Sequence, residues 1–296
     1  MPEHGHDQAH GHGHDVDWAA IAPFMVARQA LEVPVLRQLL AWLTLKPGAV
    51  VADVGCGVGG MVELLAEAVG PTGMVYAVDG EEAMRAATRS LAASCGVSAW
   101  VDVRAADLER DALRDVLGRE VDLVHASAVV HHLADEVSGL RRLGTALRPG
   151  GRIVVIEGGM PNRHLPADCG IGRPGLEERM LAAQQEWFWS HVRPPGLQAT
   201  AGAPTGWNEK LVSAGYVDVT ARSFLLDLPA PLPARARETV RGHFAELRRR
   251  FGDRFDREDI ATLEVLLDES DPRGVLHRSD VFVLGVRTAY VGRKDS

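Results

Sequence analysis

The segment Asp53-Val54-Gly55-Cys56-Gly57-Val58-Gly59-Gly60 constrains this chain most, because it follows the unbroken apolar run 49–54. A continuous apolar run of that length suits a strand buried on both faces. Glycines directly after it permit a tight turn and close ligand approach, and the helix that follows offers free N–H groups to an anion. Two templates fit. Gly55, Gly57 and Gly60 satisfy the dinucleotide pattern G-x-G-x-x-G, and Asp53, Gly55, Gly57 and Gly59 satisfy D-x-G-x-G-x-G. A glycine turn without a ligand is the plain alternative.

Acidic neighbours separate the two templates. Asp53 stands at the strand end, where its carboxylate would repel a pyrophosphate but not the ammonium of an amino-acid moiety. Asp79 closes the second apolar run, a position from which a carboxylate accepts ribose hydroxyls. Asp107, in Ala105-Ala106-Asp107-Leu108, follows the third run and could accept from an adenine amino group. Each alone could cap a helix; three at successive strand ends are harder to attribute to capping.

The rest of the chain supplies the frame. Residues 17–45 read as helical, with Ile21, Phe24, Met25, Leu36, Leu39, Leu40 and Leu43 near the helical period, and Pro34 separates or kinks two helices. Strands over 49–54, 74–78, 99–104, 121–126 and 152–156 then alternate with helices over 61–69, 81–94, 108–117 and 135–147. Such repeated units predict a parallel sheet with helices on both faces. At Gly158 the rhythm breaks. Residues 158–205 are rich in Pro and Gly around a helix over 175–190. A helix over 207–214, a strand over 217–226, two helices within 229–271 and a last strand over 280–287 follow.

This order of motifs resembles the class I S-adenosylmethionine-dependent methyltransferase family, of the small-molecule type, over residues 50–158. Val51-Ala52-Asp53-Val54-Gly55-Cys56-Gly57-Val58-Gly59 is similar to its first motif, Ala77-Val78-Asp79 to its second-strand acid and Ala106-Asp107-Leu108 to its adenine contact. Val121-Asp122-Leu123-Val124-His125-Ala126-Ser127 and Leu147-Arg148-Pro149-Gly150-Gly151-Arg152-Ile153 are similar to the fourth-strand motif and the approach to the fifth. The resemblance implies an α/β, Rossmann-like, seven-stranded and mostly parallel sheet. Its last strand would be antiparallel, with helices on both faces and helical lid insertions. It implies a disordered tail over 1–15, a helical cap over 16–47 and the methyltransferase domain over 48–296, with insertions at about 158–206 and 229–277. The implied cofactor is S-adenosylmethionine and its product S-adenosylhomocysteine. Asp53, Gly55, Cys56, Gly57, Gly59, Asp79, Gly80, Met84, Ala106, Asp107, Leu108 and Ser127 would hold it, Met84 near adenine unless it is plain core.

Methyl transfer from a sulfonium is an in-line displacement with a good leaving group, so positioning can supply about 7–11 kcal/mol of the barrier reduction. A general base adds roughly 10²–10⁴-fold where the acceptor loses a proton. His131 and His132, in Val129-Val130-His131-His132-Leu133, are candidates for that base, with His132 placed ahead and packing as the alternative for both. Glu157, ending the fifth strand, is a third candidate, with loop hydrogen bonding as its alternative. Trp187, Trp189, His191, Arg193 and Phe24 are candidate walls of an acceptor pocket; the Trp187-Phe188-Trp189 cluster could equally pin the insertion to the sheet. The expected reaction is O-methylation of a small molecule, with a place in secondary metabolism one reading. Nitrogen or carbon acceptors, an NAD(P)-dependent oxidoreductase, and a non-catalytic cofactor- or metal-binding protein are the alternatives.

Composition narrows the partners. A net charge of -8 argues against nucleic acid, and Leu247-Arg248-Arg249-Arg250, the dense basic run, reads as a solvated helix face. Cys56, Cys95 and Cys169 are odd in number and scattered, which fits a reducing cytoplasm. No run of bilayer length and no signal-peptide order is read, so no membrane partner is expected. His4, His6, His10, His12 and His14 could chelate divalent metals adventitiously from the flexible tail; no resident metal is expected, and a homodimer stays open. Replacing Gly57 with Leu is expected to abolish S-adenosylmethionine binding in calorimetric titration, because the added side chain takes the ligand's approach; an unchanged affinity would contradict the assignment.

Overall fold

The computed structural model describes residues 17–191 and 206–295. The His-rich tail and Arg193 therefore lie outside the described residues. Five parallel strands form the centre of the sheet: β1 (Val50–Val54), β2 (Met74–Asp79), β3 (Val101–Ala105), β4 (Val121–Ser127) and β5 (Leu147–Ile156). Their order is β3-β2-β1-β4-β5, reversing direction of travel between β1 and β4, the place where open α/β sheets bind ligands. Side chains alternate between two cores. Val51, Leu123 and Val154 face one, and Ala52, Val54, Val124 and Ala126 face the other.

Helices cover both faces, as the repeated units require. The linking helices are α2 (Gly60–Val69), α3 (Glu82–Ser94), α4 (Leu113–Leu117) and α5 (Glu136–Gly144). The fourth is much shorter than the expected 108–117, because Asp107 first closes a turn onto Glu109 and Asp111. Asp135 caps α5, its carboxylate accepting from the Ser138 N–H.

The sheet has eight strands among the described residues, not seven, and the last is longer than the sequence indicates. Strand β8 (Val283–Lys294) runs antiparallel between β5 and β7 (Tyr216–Leu228). Its polar residues Arg287, Thr288 and Arg293 obscure the strand in the sequence, but Ala289 and Val291 alternate inward against β5. Because β8 outreaches β5, its free length accepts the additional strand β6 (Met160–Arg163). The chain steps from β5 to β6 through Gly158 and Gly159. At Gly159, with φ 95°, a Cβ would strike the Val286 carbonyl, so the crossing needs glycine.

A cap of four helices closes the carboxyl end: α1 (Trp18–Leu43), α6 (Leu176–His191), α8 (Ala234–Phe251) and α9 (Arg257–Leu267). A short helix, α7 (Trp207–Ser213), leads into β7. Helix α1 is one continuous helix through Pro23 and Pro34, contrary to the expected break. The lost Pro34 hydrogen bond is tolerated because the next turns bury Val35, Leu39 and Leu43 in the core. Length and composition alone would let α1 cross a membrane, which the sequence reading did not anticipate. Its packing instead makes it a cap, and its cation–carboxylate pair Glu32–Arg287 joins it to β8. Buried Asp259 of α9 binds Arg179 of α6 through both carboxylate oxygens, locking two cap helices together. Replacing Leu39 with Ala is expected to cost about 2–5 kcal/mol, read as a fall in Tm by calorimetry. An unchanged Tm would mean that α1 does not pack on this core.

Candidate active site

Where β1 ends, the chain passes through Gly55, Gly57 and Gly59 with φ of 67°, 54° and 90°. The N–H groups of Gly55 and Cys56 both donate to the Val78 carbonyl, at 2.7 and 3.0 Å, which fixes the turn on β2. Gly55 and Gly57 are glycines for different reasons. A Cβ on Gly55 would collide with the Val129 side chain, whereas one on Gly57 would enter open space, with only the Met25 methyl at 3.8 Å. Gly57 is therefore the cradle, and the ligand's room begins there. Asp79 accepts from the Gly57 N–H through Oδ2 and from the Glu81 N–H through Oδ1, both at 2.9 Å. Burial raises its pKa above the usual carboxylate value. Burial likewise pushes the Cys56 thiol up, so it stays protonated, its sulfur beside the Thr88 hydroxyl.

Asp53 is paired within the protein. Its Oδ1 lies 2.6 Å from Nδ1 of His125, the residue opposite it in register on β4, and both side chains are almost fully buried. Among the described residues the Nε2 of His125 has no hydrogen-bond partner, and the residue lines the cavity. A buried donor or acceptor left alone is costly, so this atom marks where a polar group of a ligand or water would be received. The residues thus fit S-adenosylmethionine: a glycine cradle with vacant room beside it, an acid at the end of β2 and an orphaned polar atom under the loop.

A second carboxylate–imidazole pair stands next to it. Glu157 is buried and fully engaged: Oε1 accepts from the N–H groups of Val129 and Val130 at 3.1 and 2.9 Å, and Oε2 lies 2.8 Å from Nδ1 of His131. These are the loop hydrogen bonds given as the alternative to a role as base: they fold the loop after β4 and orient His131. The two neighbouring histidines are placed differently. His131 lines the cavity, while His132 is exposed and absent from that lining, its ring tilted against that of His131 with centroids 4.0 Å apart.

A cavity of about 1130 Å³ opens from this loop outward between α1, β6, α6 and α8. Of the expected ligand contacts, Asp53, Gly55, Cys56, Gly57 and Ser127 line it. Gly59, Asp79, Gly80, Met84, Ala106, Asp107 and Leu108 do not; they lie outside it, several at the carboxyl ends of β2 and β3. Met84 is buried in α3, and Gly59 packs against Thr88. Asp107 is corrected in part: its Oδ1 accepts from the Glu109 N–H and its Oδ2 pairs with Arg110 at 3.4 Å, so it also closes a turn.

Among the expected acceptor walls, Phe24 and Trp189 line the cavity. Trp187 does not: it packs edge-on against Phe251 and under the Arg250 guanidinium, pinning α6 to α8. His191 stacks on Trp187 and is also outside the lining. Phe188, between the two tryptophans, reaches the cavity and lies 5.7 Å from His131. Sequence reading missed His125, Arg28, Asn162, His164, Glu177, His243 and Arg287, which give the cavity its polar lining. His125 alone carried a signal, a lone basic residue inside a buried strand. His164 binds Glu177 at 2.9 Å, and its ring lies tilted against that of His243 with centroids 4.7 Å apart.

Burial, then the neighbouring His164 and Arg28, lower the His243 pKa to about 3. Between pH 6.5 and about 3 the unfolded chain binds a proton that the folded one refuses, so folding stability falls as pH drops through that window. His243→Gln is expected to shrink the loss of Tm between pH 7 and pH 5; an equal loss in both proteins would contradict the buried neutral imidazole.

Comparison with known proteins agrees with this geometry. Residues 52–153 match the family model described as a methyltransferase domain. Nocamycin O-methyltransferase of Saccharothrix syringae is 32% identical over 67% of this chain and 70% of its own. The ubiquinone/menaquinone biosynthesis C-methyltransferase UbiE of Ectopseudomonas mendocina is 30% identical over 41% of this chain and 46% of its own. In the solved complex of the Haloferax volcanii Trm112 methyltransferase activator with a protein described as a methyltransferase, a chain shares the fold. Its TM-score is 0.51 at 17% identity, covering 94% of this chain and 95% of that one. This chain belongs to the class I S-adenosylmethionine-dependent methyltransferases, and S-adenosylmethionine is its cofactor.

Proposed function

We propose that the enzyme methylates an oxygen of a small-molecule acceptor bound between α1, α6 and α8. The observation that carries this reading is the cavity: about 1130 Å³, roofed by the cap helices and continuous with the glycine cradle. Small-molecule sites typically measure about 300–1,000 Å³, so the volume suits a cofactor and a modest acceptor together. A nucleic acid or protein acceptor would need an open surface rather than a roofed chamber. The name of the relative from Saccharothrix syringae supports an oxygen acceptor, and that of the UbiE relatives supports carbon as the second reading.

When bound, the cofactor supplies an electrophilic methyl group on a sulfonium. The chain's own part is to hold, desolvate and deprotonate. Phe24, Phe188 and Trp189 exclude water from the acceptor. His131, its Nδ1 held by Glu157, presents its far nitrogen, Nε2, as the base for an acceptor hydroxyl. The Glu157 carboxylate holds the ring in place throughout, through a bond that is charge-assisted once the proton has moved.

The test uses cofactor labelled with ¹³C in the methyl group and a panel of phenolic, enolic and carboxylic acceptors. The chemical shift of the transferred methyl distinguishes O-, N- and C-methyl products. O-methyl product is expected, and a C-methyl product would transfer the assignment to carbon. His131→Ala is expected to lower kcat by about 10²–10⁴-fold at unchanged S-adenosylhomocysteine affinity. An unaltered kcat would remove His131 from the role of base.

A further inference from the structure

Two neighbouring rows of α1 side chains turn toward the cavity. Met25 and Gln29 form one row, over the glycine loop: the Met25 methyl lies 3.8 Å from where a Cβ on Gly57 would be, and Gln29 stands where one on Gly60 would go. Phe24, Arg28 and Glu32, each four residues apart, form the other. Phe24 meets α8 at Gly242, and Glu32 gives both carboxylate oxygens to Arg287 of β8, which also holds Asn162. Arg28 stands between them, within electrostatic range of Glu32, Arg287 and His243. Among the described residues its guanidinium makes no hydrogen bond and no ion pair, since Glu32 is spent on Arg287. Its side chain lines the cavity and keeps exposed surface, while the protein packed around it penalises the bare charge.

A guanidinium offers five donors in a planar fork that matches a carboxylate, and a cation in such a place is stabilised by a paired anion. We propose that Arg28 receives an anionic, carboxylate-type group carried by the methyl acceptor. The inference rests on the reading of this cavity as the acceptor site. It deepens that reading by giving the acceptor a charge: an acidic small molecule with an apolar or aromatic body against Phe24, Phe188 and Phe244. The row to which Arg28 belongs decides between the two carboxylates available to the site. Met25 and Gln29 overlie the loop where the cofactor's amino-acid end would lie, and Arg28 faces the neighbouring side, toward α8 and β8.

The experiment titrates the S-adenosylhomocysteine-saturated enzyme with 2-naphthoate and with its neutral isostere 2-naphthamide, using the native chain and Arg28→Gln. The native chain is expected to prefer naphthoate by about tenfold. Arg28→Gln is expected to lose that preference while keeping its S-adenosylhomocysteine affinity, which also reports an intact fold. Equal binding of the two probes, binding of neither, or a preference that survives in Arg28→Gln would overturn the proposal. So would weakened S-adenosylhomocysteine binding in Arg28→Gln with unchanged binding of 5′-methylthioadenosine, which lacks the carboxylate, because the anion would then be the cofactor's own. A native chain that binds no S-adenosylhomocysteine would fail at the cavity reading itself, a result separable from all of these.

Discussion

The length of β8 is the constraint on which most of this molecule depends. A strand of twelve residues that runs antiparallel along β5 extends well past the end of that strand. Its unpaired backbone groups need partners, and β6 and β7 supply them on its two sides. Both the floor of the cavity and the attachment of its roof follow. Asn162 and Met160 of β6 line the floor, and Arg287 of β8 reaches up to Glu32 of α1. The cap thus rests on a backbone hydrogen-bonding requirement as well as on apolar contact.

Carboxylates at strand ends do two kinds of work here. Asp53 and Glu157 are buried and each holds an imidazole, on His125 and His131, while Glu157 also satisfies two backbone N–H groups of the loop between β4 and α5. Asp79 folds the glycine loop onto β2. In each case a protein donor occupies an oxygen that a reading of the sequence would reserve for a ligand. A carboxylate has room for several hydrogen bonds, so the roles of fastener and ligand contact are compatible. What matters for chemistry is the residue that the fastener leaves pointing inward, His131 in one pair and His125 in the other.

The cap shows the same division between attachment and function. On α6, Trp187 is spent on Phe251 and Arg250, which leaves Phe188 and Trp189 to the cavity. Helix periodicity explains the difference: consecutive residues are rotated by about 100°, so a run of three aromatics cannot share one surface. The same rotation separates Met25 and Gln29 on α1 from Phe24, Arg28 and Glu32, and so separates contact with the loop from contact with α8 and β8.

The sequence by itself determined the α/β sheet, the glycine cradle and the cofactor. Those features are local: a buried strand needs a continuous apolar run, and a left-handed turn needs glycine at Gly55, Gly57 and Gly59. It could not show that Pro34 lies inside a helix, because the packing of Val35, Leu39 and Leu43 decides that. Nor could it show the eighth strand, whose residues Met160-Pro161-Asn162-Arg163 carry no strand pattern and pair only because β8 extends beyond β5. The polar lining of the cavity was left to tertiary structure for the same reason. Arg28, Asn162, His243 and Arg287 come from four distant parts of the chain. Only the folding of α1, β6, α8 and β8 around one cavity makes them neighbours.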